Sequence, residues 1–290
     1  MLVTYRGGVM ENSSKATAPA LERGLAVLEA IARSRGGLTL SQLTRYLDLP
    51  KSSTFCLLRT LEQCGYLFRD METGKYSVSL RVCNLASLAL NGIGIREKAR
   101  PHLRRLSEES RLTVHMGILE NGSCLLIEKM TPAGVYPIAT WVGKHLSLHC
   151  TAIGKAICAY MPEEELTVLL REQGLMRHNE NTICSIKRLN QDLAAVRQRG
   201  YAMDDEEEEI SIRCIGAALF EGGKVVGGLS LVGTTNEIHG GTIEHLASML
   251  VHTAAQISEL VKLPDSKGAE IAAPLRMRSH AALVPGAPPA

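Results

Sequence analysis

Between residues 21 and 78 the chain sets out three short helices and then a hairpin, and few folds accept that order in so little space. Leu21, Leu25, Val27, Leu28 and Ile31 recur at helical spacing, and Gly36-Gly37 ends the run. Thr39 or Ser41 can cap a short second helix carrying Leu40, Leu43 and Leu47. Beyond Asp48-Leu49-Pro50, a third helix over Lys51 to Cys64 gathers Leu57, Leu58, Leu61 and Cys64 on one face, and Gly65 supplies a left-handed stop. Tyr66 to Arg69 and Lys75 to Val78, with a turn-like Asp70 to Gly74 between them, read as a two-stranded hairpin. This is the order of a winged helix-turn-helix, the third helix being the one that enters a DNA groove.

At 290 residues the chain has room for a second domain with its own core. Leu80 to Leu90 continues as helix, Gly92 and Gly94 loosen the chain, and an amphipathic run follows from Ile95 to Ser110. Thr113 to Leu119 and Ser123 to Lys129 are strand-like around Asn121-Gly122, and Tyr136 to Thr140 offers a further strand. Helical patterns cover Ala152 to Tyr160, Glu163 to Glu172 and Ile186 to Arg199; strands return at Tyr201 to Met203, Cys214 to Phe220 and Val225 to Val232, and Thr242 to Leu263 closes as a helix. Such mixing predicts an α+β domain. The expected division is a flexible arm over 1–19, a DNA-binding domain over 20–80, a linker helix and hinge over 81–94, a second domain over 95–263 and a disordered tail over 264–290.

Composition excludes the disordered, collagen-like and membrane-spanning classes: 45% of residues are hydrophobic, 21% are charged, and no apolar run is long enough to span a bilayer. Nothing in the first 15 residues reads as a secretory signal, so a cytoplasmic protein is expected. The eight cysteines form no C-x-x-C pair and are read as buried free thiols. Residues 1–90 carry 11 Lys/Arg against 7 Asp/Glu, whereas residues 91–263 carry 18 against 21, which turns the basic end toward a polyanion.

Lys51, Ser52, Ser53 and Thr54 open the third helix with ammonium and hydroxyl groups that can meet phosphates or base edges, although an ordinary capping cluster has the same composition. The preceding helix and the following hairpin favour the DNA reading. Arg59, seven residues after Ser52, shares its face, and Arg69 and Lys75 flank the wing turn where backbone phosphates pass. In the run Asp204 to Glu209, Asp204 stands apart because it ends an apolar strand; the remaining carboxylates are expected on a solvated loop. Cys150 beside His149, or Cys214, leaves open a thiol enzyme with an accessory winged helix, though no nucleophile motif surrounds either. Zinc on His149, Cys150 and Cys214 lacks the spacing of a structural site, so no metal or cofactor is expected.

Four strings carry a family resemblance: ALERGLAVLEAI, DLPKSSTFCLLRTLEQCGYL, LHCTAIGKAICAYMP, and RGYAMDDEEEEISIRCIGAALF followed by GLSLVG. In this order the chain resembles IclR-type bacterial transcriptional regulators over roughly residues 20–262. The resemblance implies a winged helix joined by a linker helix to a GAF-like α/β effector-binding domain. It also implies a regulator of catabolic genes, more often a repressor, that binds a palindromic duplex operator as a homodimer, with a tetramer left open. A protein-docking sensor that has lost DNA binding is a third reading. At position 56 members usually carry Arg where this chain has Cys56, so the operator sequence is expected to differ. The effector pocket implied by the resemblance is formed by Ala152, Ile153, Asp204, Cys214 and Ser230, with Val232 where relatives often have a second Ser. A small organic acid with some apolar body is the expected effector, its anionic end set toward the helix start at Ala152.

Overall fold

The computed structural model describes residues 18–261 apart from 121, 136 and 137. The expected tail and nearly all of the expected arm lie outside the described residues, and Pro19 already opens the first helix, α1 (Pro19–Ala32). Proline suits that position because its missing N–H would have no helical partner there. β1 (Leu38–Thr39) leads into α2 (Leu40–Leu47), and Thr39 forms a capping box with Gln42, its hydroxyl accepting from Gln42 N while Gln42 Oε1 accepts from Thr39 N. α3 (Lys51–Gln63) ends before Gly65, whose φ of +76° is the left-handed conformation that the sequence required.

β2 (Leu67–Arg69) and β3 (Lys75–Val78) form the wing, and β1 joins them in the order β1-β3-β2. Two residues were too few for the strand pattern of β1 to be visible in sequence. The small core is Val27, Ala30, Ile31, Leu43, Leu58, Leu67 and Tyr76. Cys64, expected on that buried face, is exposed because it falls past the last turn that packs on α1.

α4 (Arg81–Asn91) buries none of its residues within the chain. α5 (Gly94–Ser110) then leads into a six-stranded antiparallel sheet made of β4 (Thr113–Glu120), β5 (Ser123–Met130), β6 (His145–Leu146), β7 (Ala202–Asp205), β8 (Ile212–Glu221) and β9 (Lys224–Thr234). Their order is β6-β5-β4-β9-β8-β7. Residues 138–140 form no strand, contrary to expectation, and 136–137 lie outside the described residues; the edge beside β5 is taken by β6. On one face Met116, Leu229 and Leu231 pack with Leu103 and Leu106 of α5 and with Leu250 and Ile257 of the closing helix α9 (Ile243–Val261). On the other, Leu126 packs with Ile153 and Ile157 of α6 (Ala152–Cys158), Leu166 and Leu170 of α7 (Glu163–Gln173), and Leu189 and Leu193 of α8 (Ile186–Arg199).

The eight cysteines are all free, but only Cys124, Cys150, Cys158 and Cys214 are buried. Cys56, Cys64 and Cys83 are exposed, a correction to the uniform reading. They lie on helix faces of the small amino-terminal core and of α4, where there is too little neighbouring mass to cover them.

Candidate functional site

Two surfaces bring together the residues singled out by sequence. On α3, Leu58 is completely buried, which turns Lys51, Ser52, Cys56 and Arg59 outward as one exposed stripe. Ser53 is half-buried at its edge. Thr54 must be withdrawn from the expected contacts: it is 0% exposed and its hydroxyl donates to Pro50 O at 3.1 Å, one helical turn back. Phe55, not singled out by sequence, is 45% exposed beside Ser52. Its place three residues after Ser52 was the available signal.

In the wing, Asp70 Oδ1 accepts from Glu72 N at 2.8 Å and Thr73 N at 3.1 Å, bonds that hold its carboxyl below the usual range. Gly74, at φ +66°, completes the turn. Arg69 is exposed, its guanidinium 5.6 Å from the Tyr76 ring centre, while Lys75 is half-buried and pairs across β3 with Thr39 of β1.

The second surface is a cavity with an empty space of about 480 Å³, counting its open mouth. Ala152 and Ile153 from α6, Asp204 from β7, Cys214 from β8 and Ser230 from β9 all line it, as does Val232. Gly216 of β8 lies directly beneath the first turn of α6, so a Cβ there would run into the Ala152 carbonyl. The helix therefore sits flush on the sheet. Its first-turn amide at Gly154 is already taken by Thr151 Oγ1, 3.1 Å away, which weakens the expectation that this helix start receives an anion.

Several polar groups in and around the cavity were not anticipated. His115 of β4 is 3% exposed, its Nε2 2.9 Å from Thr140 Oγ1. Burial, with Lys129 and Lys144 nearby, pushes its pKa down to about 3, so it is neutral. Lys129 Nζ donates to Ile138 O and Thr140 O at 2.7 and 2.9 Å, holding that segment over the cavity. Lys144, a cation of the lining, lies 3.3 Å from Glu208, another lining residue.

Asp204 is 2% exposed and its Oδ1 accepts from Glu207 N at 2.8 Å. Burial outweighs that bond and raises its pKa to about 7. Glu207 is not the loop charge expected of it. It is buried and paired with Lys155 of α6, which is 1% exposed and also lies 2.8 Å from Asp192 of α8. Burial pushes the Lys155 ammonium down, but the two carboxylates outweigh it and hold the group above its ordinary value. A single Lys inside the otherwise apolar Ala152–Cys158 was the sequence signal for this network.

The cysteines of the thiol-enzyme reading are poor nucleophiles. Burial raises the Cys214 thiol well above its ordinary value and raises Cys150 likewise, whereas an attacking thiolate needs the opposite.

An exposed stripe on the third helix of a winged fold and a polar-lined cavity in a second domain are the two parts that a transcriptional regulator with a sensing domain requires. The model of the IclR helix-turn-helix domain matches residues 20–70, and that of the bacterial transcriptional regulator IclR C-terminal region matches residues 87–259. The chain belongs to the IclR family of bacterial transcriptional regulators. It is 32% identical over 252 residues to the transcriptional repressor IclR of Escherichia coli (strain K12), covering 84% of this chain and 92% of that protein. The HTH-type transcriptional repressor AllR of the same strain is 29% identical over 259 residues, 89% of this chain and 96% of that protein. The Thermotoga maritima IclR structure superposes with a TM-score of 0.70 at 28% identity, over 84% of this chain and 98% of that one. An IclR homologue from Microbacterium hydrocarbonoxydans, solved with 4-hydroxybenzoate, shares the fold, with a TM-score of 0.72 at 24% identity over 84% and 99% of the two chains.

Proposed function

We propose that this regulator is a repressor of catabolic genes whose operator affinity is set by a small organic acid held in the cavity between α6 and β7–β9. The observation that carries the reading is the convergence of Asp204, Cys214, Ser230, Ala152 and Ile153, from four separate elements, on one solvent-open space. In this reading residues 20–80 bind DNA, 81–94 link and 95–263 sense the effector. Ile138, Ile212 and Val232 give the cavity an apolar wall suited to a hydrocarbon body, while Lys144 offers a carboxylate a cation in exchange for Glu208. A salt-dependent gel shift of a palindromic promoter fragment, reversed by one member of a panel of metabolic acids, tests the whole reading.

Lys51, Ser52 and Arg59 face the major groove, with Ser53 at the edge of the contact and Arg69 and Lys75 on the backbone. Lys51→Ala and Arg59→Ala are each expected to weaken operator binding and to reduce the salt slope by about one unit for every phosphate that is no longer neutralised. Unchanged affinity and slope in both variants would assign DNA binding to another face.

A homodimer is the minimal operator-binding unit, because one short helix reads too few base pairs and two half-sites add their energies. Leu21 and Leu25 of α1, with Leu85 and Leu88 of α4, are more than half exposed and supply the apolar area for such a contact. Leu85→Lys combined with Leu88→Lys should convert the dimer to monomer in sedimentation at micromolar concentration. A wild-type monomer that binds its operator tightly would refute the dimer.

Effector affinity should depend on pH through Asp204. With a pKa of about 7, against an ordinary 3.8, the buried carboxyl keeps its proton in the folded chain between about pH 4 and 7. Its contribution to stability therefore falls as pH rises through that window. A protonated Asp204 tolerates a neighbouring carboxylate, and an ionised one repels it. Calorimetric affinity for the acid effector should fall between pH 6 and 8, and Asp204→Asn should flatten that profile. A pH-independent wild type would remove Asp204 from the contact.

A further inference from the structure

Away from the effector cavity, three metal-type donors meet where the chain entering α6 touches the segment between α7 and α8. His149, Cys150 and His178 each present a ligand atom within 4.8 Å of the other two. The two imidazoles stack with ring centres 6.3 Å apart and planes 25° from parallel. Imidazole nitrogen and thiolate sulfur are the donors preferred by borderline divalent ions such as Zn²⁺. We infer that His149, Cys150 and His178 form a binding site for one such ion, with a fourth position left to water.

The geometry needs only a small closure. Zinc bonds of about 2.0–2.1 Å to nitrogen and about 2.3 Å to sulfur put tetrahedral ligand atoms roughly 3.3–3.7 Å apart. The donors must therefore draw in by up to about 1.5 Å. His178 is exposed and its side chain can turn to make that adjustment, while His149 and Cys150 are buried and fixed. The exposed His178 also leaves the ion a path from solvent.

The surroundings already resemble the outer shell of a metal site. His149 Nε2 lies 2.9 Å from the Met176 carbonyl, which can only accept a hydrogen bond. Nε2 therefore carries the ring proton and Nδ1 keeps its lone pair for a metal, the arrangement a backbone carbonyl imposes on metal-bound imidazoles. The segment bearing His178 is itself anchored, with His178 N and Asn179 N both donating to Thr182 Oγ1 at 3.1 and 3.0 Å. Thr182 Oγ1 in turn donates to Glu207 O at 2.8 Å. Burial raises the Cys150 thiol, and the negative charge of Glu208 and Glu207 raises it further while favouring a dication in place of its proton. Lys155 opposes this at His149, but its charge is already shared by Glu207 and Asp192.

Binding exchanges one proton for the ion: the Cys150 thiol releases H⁺ to solvent as its sulfur bonds the metal, with no change in oxidation state. The ion would pin the segment carrying His178 to the base of α6. Thr151, Ala152 and Ile153, the next three residues, line the effector cavity.

Titration of the metal-stripped full-length protein with Co²⁺ under reducing conditions reads the site through thiolate-to-cobalt absorption, independently of any DNA or effector binding. One equivalent per chain is expected, displaced by Zn²⁺. The band should vanish in Cys150→Ser, weaken by about tenfold or more in affinity in His178→Ala, and survive in Cys64→Ser, whose cysteine is exposed elsewhere. Should Cys150→Ser fail to fold by circular dichroism, the surface variant His178→Ala decides. Absence of a thiolate band in the wild type, or full-strength binding in His178→Ala, would overturn the proposal.

Discussion

Lys155→Met is expected to destabilise the sensing domain by about 3–5 kcal/mol, the usual consequence of removing one partner from a buried ion pair. Methionine preserves most of the volume of the side chain but leaves Glu207, 5% exposed, without its counter-charge, while the more open Asp192 can turn toward water. For a domain of this size the melting point should drop by roughly 6–20 °C. Calorimetry of the full chain reads the shift directly. The loss should be smaller at pH 5 than at pH 7.5, because burial already raises the Glu207 carboxyl and, without Lys155, it folds most easily when protonated. Adding Glu207→Gln should restore part of the stability. A change under about 1 kcal/mol in the single variant would mean that water reaches this pair, contrary to its burial.

Leu58→Ala should abolish operator binding without touching DNA. Leu58 is 0% exposed at the centre of a core whose fully buried hydrophobic members number only seven. Truncating a buried leucine costs about 2–5 kcal/mol, and a domain of some 60 residues has little stability beyond that. The expected outcome is loss of the gel shift together with an unchanged thermal transition of the sensing domain. Arg59→Ala, at the next position on the same helix, should instead leave both transitions in place and reduce affinity only. Operator affinity within about threefold of wild type for Leu58→Ala would show that the helix is held by contacts outside this core.

The amino-terminal domain was legible because each helix buries one stripe and punctuates its end with Gly or an Asp-Leu-Pro step, so period and breaker agree. Thr54 was misassigned because composition cannot tell a hydroxyl turned to solvent from one bonded back to the carbonyl four residues earlier. In the sensing domain the strands were legible but their facing was not. β4 is buried on both sides over Thr113 to Gly117, which erases the alternation that would have aimed His115 into the cavity. The acidic run was misread at Glu207 because a row of six carboxylates looks uniformly solvated until a lysine from a distant helix is brought against one of them. Thr140 and Lys144 enter the cavity from irregular chain, for which no periodicity exists to read.

The contact between Gly216 and the Ala152 carbonyl bears on how this pocket can be retuned. With α6 lying on bare backbone at Gly216, the helix start that lines the cavity cannot be moved inward, only lifted off the sheet. Ile138, Ile212 and Val232 belong to the wall instead, and they pack in a small cluster apart from both large cores. Substitutions there change the shape offered to a ligand while leaving the two large cores untouched. A new inducer specificity, in evolution or in a laboratory biosensor, is therefore most readily reached through those three side chains.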